Sequence, residues 1–347
     1  MSPTFSIYQQ FDSLDQSAYH DLWKACGALA FYHPDFLRAA QNYPLLPIEG
    51  VYYLTAWKND HLEAFMVVYH QRSPDPFGTL TRTTGKQFDK ESDYLFGHAA
   101  HCYDTRILTR TECVATSVQL FEQLKVLAGE CGMTSCGLLN IDAPDLLMAA
   151  ELAGFQVRHL HDRFYIDLAP YRDFDDFVAK LPGHGRREMK RQLRKFEAEG
   201  GYTTFEKLPA TDLSEVARLC HLTSAKNGTP DYYPEDTFRQ FVAACGDLVS
   251  VVWVSVGKER IAAGVWLDEP GRLHLWSGGF SYAHSDFSPY TVMFASGVKH
   301  AFERGIQLIE AGRTNPRIKG RLGCLPCPLY SALSAVRTER IVNEDAV

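Results

Sequence analysis

The sequence predicts an α+β (mixed α/β) chain in two halves, each a twisted, mostly antiparallel sheet flanked by helices. Three observations carry that expectation. Residues 249–280, "VSVVWVSVGKERIAAGVWLDEPGRLHLWSGGF", hold three apolar runs parted by turns at Gly257–Lys258 and Glu269–Arg272, the pattern of a β-meander. Val51–Trp57 and Leu62–His70 form a second set of paired runs around a tight turn at Lys58–His61. Each set precedes a glycine-closed helix, "TSVQLFEQLKVLAGECG" ending at Gly132 and "SPYTVMFASGVKHAFERG" ending at Gly305.

In chain order, "LDQSAYHDLWKACG" is helical, with Ala18, Leu22 and Ala25 on one face. The hairpin and the Gly132-closed helix follow, then the strand "SCGLLNI", the helix "PDLLMAAELAG" and the strand "FYIDLAPY". The second half opens on a long helical region interrupted around Pro182–Gly185. Next come the strand "YTTFEKL", the helices "LSEVARLCHLTSAKNG" and "PEDTFRQFVAACG", and the meander. Pro289 opens the next helix, followed by the strand "QLIEAG", the short helix "NPRIKGRLG" and the strand "CPLYSALSAV". The expected division is 1–170 and 171–347, with no flexible linker near Pro170–Asp175.

Charge separates the halves. Residues 1–173 carry 13 Lys+Arg against 21 Asp+Glu, whereas 174–347 carry 22 against 21, so only the second half suits a polyanion. No apolar run reaches membrane-spanning length, and the first residues lack the regions of a signal peptide, so a cytoplasmic protein is expected. Nine scattered cysteines fit reduced thiols, with Cys324 and Cys327 as one weak CxxC signal for a metal or redox role. No HExxH, GxSxG or Walker pattern occurs, so neither a metal nor a tightly bound cofactor is expected.

Two cationic clusters stand out. "RREMKRQLRK" places six positive charges around a stripe of Met189, Leu193 and Phe196, with only Glu188 to balance them. Arg187, Arg191 and Arg194 in this run are candidates for contact with a phosphate backbone, against the alternative of a solvated helix face. "IEAGRTNPRIKGRLG" sets Arg313, Arg317, Lys319 and Arg321 within nine residues at the end of an apolar strand.

Three segments resemble the GNAT (Gcn5-related N-acyltransferase) superfamily, and within it the branch of Fem-type aminoacyltransferases and BioF2-like acetyltransferase domains. They are "DFDDFVAKLPGHGRREMKRQLRKFEAEGG", "SGGFSYAHSDFSPYTVMFASGVKHAFERG" and "IEAGRTNPRIKGRLG", in that order over about residues 173–335. The resemblance implies tandem GNAT-like domains, the first degenerate, and an acyltransferase that forms an amide on an amine. Ordinary acyl-CoA enzymes of this superfamily place a glycine-rich turn before the helix after the fourth strand. This chain has no glycine between Gly279 and Gly297, which moves the expected co-substrate from acyl-CoA toward aminoacyl-tRNA, and makes tRNA a possible partner.

Acyl transfer needs an oxyanion stabiliser, a proton acceptor and groups that hold both substrates. Lys319 matches the lysine of the branch's terminal motif and is the first candidate for the oxyanion. Arg313 and Arg317 are candidates for donor phosphate or carboxylate. Asp286 and Glu310 are candidate proton acceptors, Glu310 alternatively a structural ion pair with an arginine. Tyr282, His284 and Tyr290 are candidates for substrate positioning, and the aromatic stretch Gly228–Phe238 for a lid or a packed loop. The alternatives to tRNA-dependent transfer are an acyl-CoA-dependent N-acetyltransferase acting on a small molecule or peptide, and a non-catalytic GNAT-pair binding module.

Overall fold

A computed structural model describes residues 3–97, 101–111, 113–209, 211–283 and 286–336. In chain order it forms β1 (Thr4–Tyr8), α1 (Gln16–Ala25), α2 (Pro34–Asn42), β2 (Gly50–Lys58), β3 (His61–Gln71), α3 (Thr79–Thr84), β4 (Tyr94–Gly97) and β5 (Leu108–Thr109). Then follow α4 (Val114–Glu130), β6 (Ser135–Ile141), α5 (Pro144–Leu152), β7 (Gln156–Asp167), α6 (Phe174–Lys180), α7 (Gly183–Ala198), β8 (Gly201–Lys207), α8 (Leu213–Lys226) and α9 (Glu235–Ala244). The chain ends in β9 (Val249–Val256), β10 (Glu259–Glu269), β11 (Arg272–Phe280), α10 (Pro289–Glu303), β12 (Leu308–Glu310), α11 (Pro316–Arg321) and β13 (Leu325–Ala335).

The chain divides into two compact units. The first comprises Met1–Leu22, Pro47–Leu160 and Leu329–Val347. Its strands run β1-β2-β3-β4-β6-β13, all antiparallel except the parallel pair β4/β6. Apolar residues of β2, β3 and β6 meet the inward faces of α4 and α5, with Leu54, Met66, Phe121, Leu124 and Leu138 at the centre. Beyond the β4/β6 pairing, which stops at Gly97↔Leu138, residues 101–105 are buried along the end of β6. The Thr105 N–H donates to the Asn140 carbonyl at 3.1 Å, and Asn140 Nδ2 donates to the Cys102 carbonyl at 2.9 Å. Arg106 joins Asp104 and Asp142 across this segment.

The second unit comprises Trp23–Leu46 and His161–Pro328, and repeats the same order as β8-β9-β10-β11-β12-β7. Again one pair alone, β11/β12, is parallel. In each unit the strand beside the parallel pair comes from elsewhere in the chain: β13 follows β12 in sequence yet pairs with β6, while β7 follows β6 yet pairs with β12. Helix α10 covers one face of this sheet, where Val292, Met293 and Phe294 meet Leu273, Val252 and Ile309. Helices α8, α9 and α2 cover the other, where Phe36, Phe238 and Phe241 gather around Trp276.

The contact of α8 with β11 depends on Gly279. A Cβ there would overlap the Leu219 carbonyl oxygen, and a backbone atom cannot rotate aside. Gly279→Ala is therefore expected to cost about 3 kcal/mol, read as a lower midpoint in urea with an unchanged slope.

Candidate active site

The parallel pair β11/β12 is short. It runs from Arg272↔Leu308 to His274↔Glu310, after which β11 continues to Phe280 and the chain leaves β12 at Gly312, whose φ of 74° turns it toward α11. Two strands that pair and then separate leave a wedge between them. At the same place β11 carries a bulge: Val265 lies opposite Ser277 and Leu267 opposite His274, so three steps of β11 match two of β10. The extra residue reverses the alternation. Leu273 and Leu275 pack toward α10, whereas Ser277 Oγ meets Cys220 of α8 at 3.5 Å.

Helix α10 starts at this opening. Ser288 caps it, its Oγ accepting the Thr291 N–H at 3.2 Å, and Pro289 occupies the first turn. The approach to the cap is held by α7: the Ser288 N–H donates to Gln192 Oε1 at 2.7 Å, and Lys195 Nζ donates to the Asp286 carbonyl at 2.8 Å. Thus the basic helix and the positive end of a 15-residue helix lie side by side. On α7, Met189, Gln192 and Phe196 turn inward, while Arg187, Arg191 and Arg194 are exposed. Arg191 is engaged by Glu188 at 2.6 Å, and that bond, with the Gln192 amide, holds the Glu188 carboxyl down at about 2.

The first turn of α7 seats α11. A Cβ on Gly185 would overlap the Arg321 carbonyl oxygen, so the two backbones touch. Helix α11 enters through Asn315, at φ 61°, and leaves through Gly323, at φ 86°, against Leu181 and Phe177. Between these turns Lys319 points inward and is only 3% exposed, its Nζ 5.5 Å from the centre of the Phe164 ring. Burial first, and the nearby Arg313 charge, bring its ammonium down to about 8, with Cys324 opposing. Burial pushes the Cys324 thiol up to about 12. It also raises the Tyr290 phenol, and Cys324 adds to that rise, which places Tyr290, Cys324 and Lys319 in one neighbourhood.

The other candidates separate. Glu310 is fully buried, with Oε1 3.6 Å from Arg163 Nη2 and 3.9 Å from Arg272 Nη1, the arginine pairing weighed from sequence. Arg313 is half-buried, and its Nη2 donates to the Tyr232 hydroxyl at 3.5 Å. Arg317 and Asp286 are exposed. Tyr282 is exposed too, under Lys226 Nζ at 3.4 Å from its ring centre. His284 lies outside the described residues. Cys324 precedes β13 and Cys327 sits within it; an extended chain sets positions three apart about 10 Å from each other, too far for a disulfide. Among the described residues no His/Cys/Asp/Glu group has metal-binding geometry. Sequence reasoning did not single out Phe164, Gln192, Ser277 or Cys220. Gln192, the uncharged member of a cationic run, offered the one local signal.

Residues 183–320 match the family model of the acetyltransferase (GNAT) domain. No curated protein matches the chain. Among solved structures the chain is similar to FemX, at 10% identity and TM-score 0.56 over 80% of this chain and 87% of that one. It is similar to L-PGS from Bacillus licheniformis, at 11% identity and TM-score 0.55 over 92% and 91%. It is likewise similar to a tandem GNAT protein from the clavulanic acid biosynthesis pathway, at 9% identity and TM-score 0.56 over 96% and 99%. At these identities the likeness is one of fold: two GNAT-like units in one chain. No helix among the described residues is long and apolar enough to cross a membrane.

Proposed function

We propose that the second unit transfers an aminoacyl group from aminoacyl-tRNA to an amine. The observation that carries this reading is the junction of α7 with the start of α10, where exposed arginines flank a helix N-terminus with no glycine turn before it. A CoA pyrophosphate needs close backbone approach there, which a sequence without glycine between Gly279 and Gly297 disfavours; tRNA phosphates need only a cationic surface.

In the reaction, the acceptor nitrogen attacks the ester carbonyl carbon. The carbonyl oxygen becomes an oxyanion, and the Lys319 ammonium stabilises it. The nitrogen, positively charged once its bond to carbon has formed, loses a proton to Asp286 through water. The carbon–oxygen bond to the ribose then breaks, and the ribose oxygen takes up a proton. Arg187, Arg191, Arg194 and Arg317 hold donor phosphates. Tyr282, His284 and Tyr290 orient the substrates.

The test is a panel of charged tRNAs and acyl-CoAs, with amine acceptors, following which donor is consumed. Consumption abolished by RNase supports the reading; product from acyl-CoA that survives RNase overturns it. The acyl-CoA alternative draws on the description of the matched family as acetyltransferases. A double reversal, Arg187→Glu with Arg194→Glu, is expected to weaken tRNA binding at least about tenfold and to flatten its salt dependence, read by filter binding at several salt concentrations.

A further inference from the structure

A second element reaches the opening from between α8 and α9. Residues Pro230–Tyr232 form a single helical turn, with Pro234 beyond it. The Tyr233 hydroxyl bonds inward to Ser277, itself in contact with Cys220, so the bulged strand anchors this segment. Tyr232 packs edge-on against Tyr233 with ring centres 4.8 Å apart, and its hydroxyl meets Arg313 across 81 positions of sequence. Tyr232 and Arg313 are both half-exposed, while Lys319, close enough for the Arg313 charge to depress its own, is buried.

We propose that Tyr232 and Arg313 form a recognition pair for an oxyanion of the substrate, a carboxylate or a phosphate, at the mouth of the opening. The 3.5 Å bond between them is long and neutral at the acceptor, so exchanging it for a charge-assisted one gains energy. The guanidinium offers a fork to two oxygens, and the phenol O–H turns to donate to one of them. Two anchors keep the pair in place without a ligand: Gly312 and β12 behind Arg313, and the Tyr233–Ser277 bond behind Tyr232. The inference deepens the reading of the second unit as the acyl-transfer site and rests on it. The carboxylate would belong to the amine acceptor, and the phosphate to the donor.

The test is binding without turnover, so an inactive preparation does not confound it. Thermal midpoints are measured against sodium acetate and against inorganic pyrophosphate at constant ionic strength. The expected result is a saturable rise with at least one probe, lost in Arg313→Gln and shifted to about tenfold higher concentration in Tyr232→Phe. Arg304→Gln, on the exposed end of α10, should behave as the parent protein. Response to acetate assigns the pair to the acceptor, and response to pyrophosphate assigns it to the donor. A flat response to both probes, or one unchanged in Arg313→Gln, overturns the proposal.

Discussion

Lys319→Met should yield a protein that is more stable at neutral pH and nearly inactive in acyl transfer. The Lys319 amine is buried with an ammonium brought down from the ordinary 10.5 to about 8. That gap corresponds to about 3 kcal/mol of stability spent on keeping the charge inside. Loss of the contact with the Phe164 ring returns about 1 kcal/mol, which leaves a net gain of about 2 kcal/mol for methionine. The sign of the pH dependence follows. Below about 8 the lysine is protonated folded and unfolded alike, and the penalty is complete. Between about 8 and 10.5 the folded protein sheds the proton first, so the parent gains stability as pH rises; above 10.5 the penalty is gone. Urea unfolding at pH 7 and pH 10 should therefore show a gap between variant and parent that closes at the higher pH. Over the same substitution, removal of the cation proposed to meet the oxyanion is expected to slow transfer about 10²- to 10³-fold. A variant that is both destabilised and active would show Lys319 to be ordinary packing. A gain in stability joined to a loss of rate is the signature of a group retained for chemistry.

What could be read from the chain beforehand follows the range of the forces involved. The hairpin of β2 and β3, the meander of β9 to β11 and the break at Pro182 are local, set by period-2 apolar patterns and by proline. They were legible to within a residue or two. Thr4–Tyr8 has too few residues to show a period, and its pairing with β2 lies about fifty positions away. Partnerships such as β13 with β6 and β7 with β12 leave no trace in a local window, because register is settled by which faces the distant chain must bury. The site shows the same split. The cationic run on α7 and the arginine at the end of β12 were visible as charge. The burial of Lys319 was not, since "PRIKGR" reads as a solvated helix until Gly185 and Gly323 let neighbouring chain close over it. The bulge that turns Ser277 toward Cys220 was equally invisible, being a mismatch between two strands and a property of neither alone.

Gly185→Ala is the second substitution expected to have a large effect, and two opposing terms decide it. Gly185 lies inside α7 without a positive φ, so alanine fits the helix and contributes about 1 kcal/mol in propensity. Its Cβ, however, would overlap the Arg321 carbonyl oxygen, a backbone atom of α11 with no rotamer to escape through. Forcing such helices apart costs about 3 kcal/mol, so the net loss should be about 2 kcal/mol. The activity should fall further than the stability. Helix α11 carries Lys319, the proposed oxyanion cation, and displacing such a group by about 1 Å costs on the order of 10²-fold in rate. Gly183→Ala, two residues earlier, is the internal control. Its added Cβ would meet only the flexible Arg187 guanidinium at 3.6 Å, an ordinary contact, so it should be neutral or slightly stabilising. Denaturant midpoints for the two variants should thus shift in opposite directions or leave Gly183→Ala unmoved. Turnover should drop in Gly185→Ala alone, even at temperatures where it is fully folded. Equal turnover in the two folded variants would mean that α11 tolerates displacement, and that the position of Lys319 is not what α7 was built to hold.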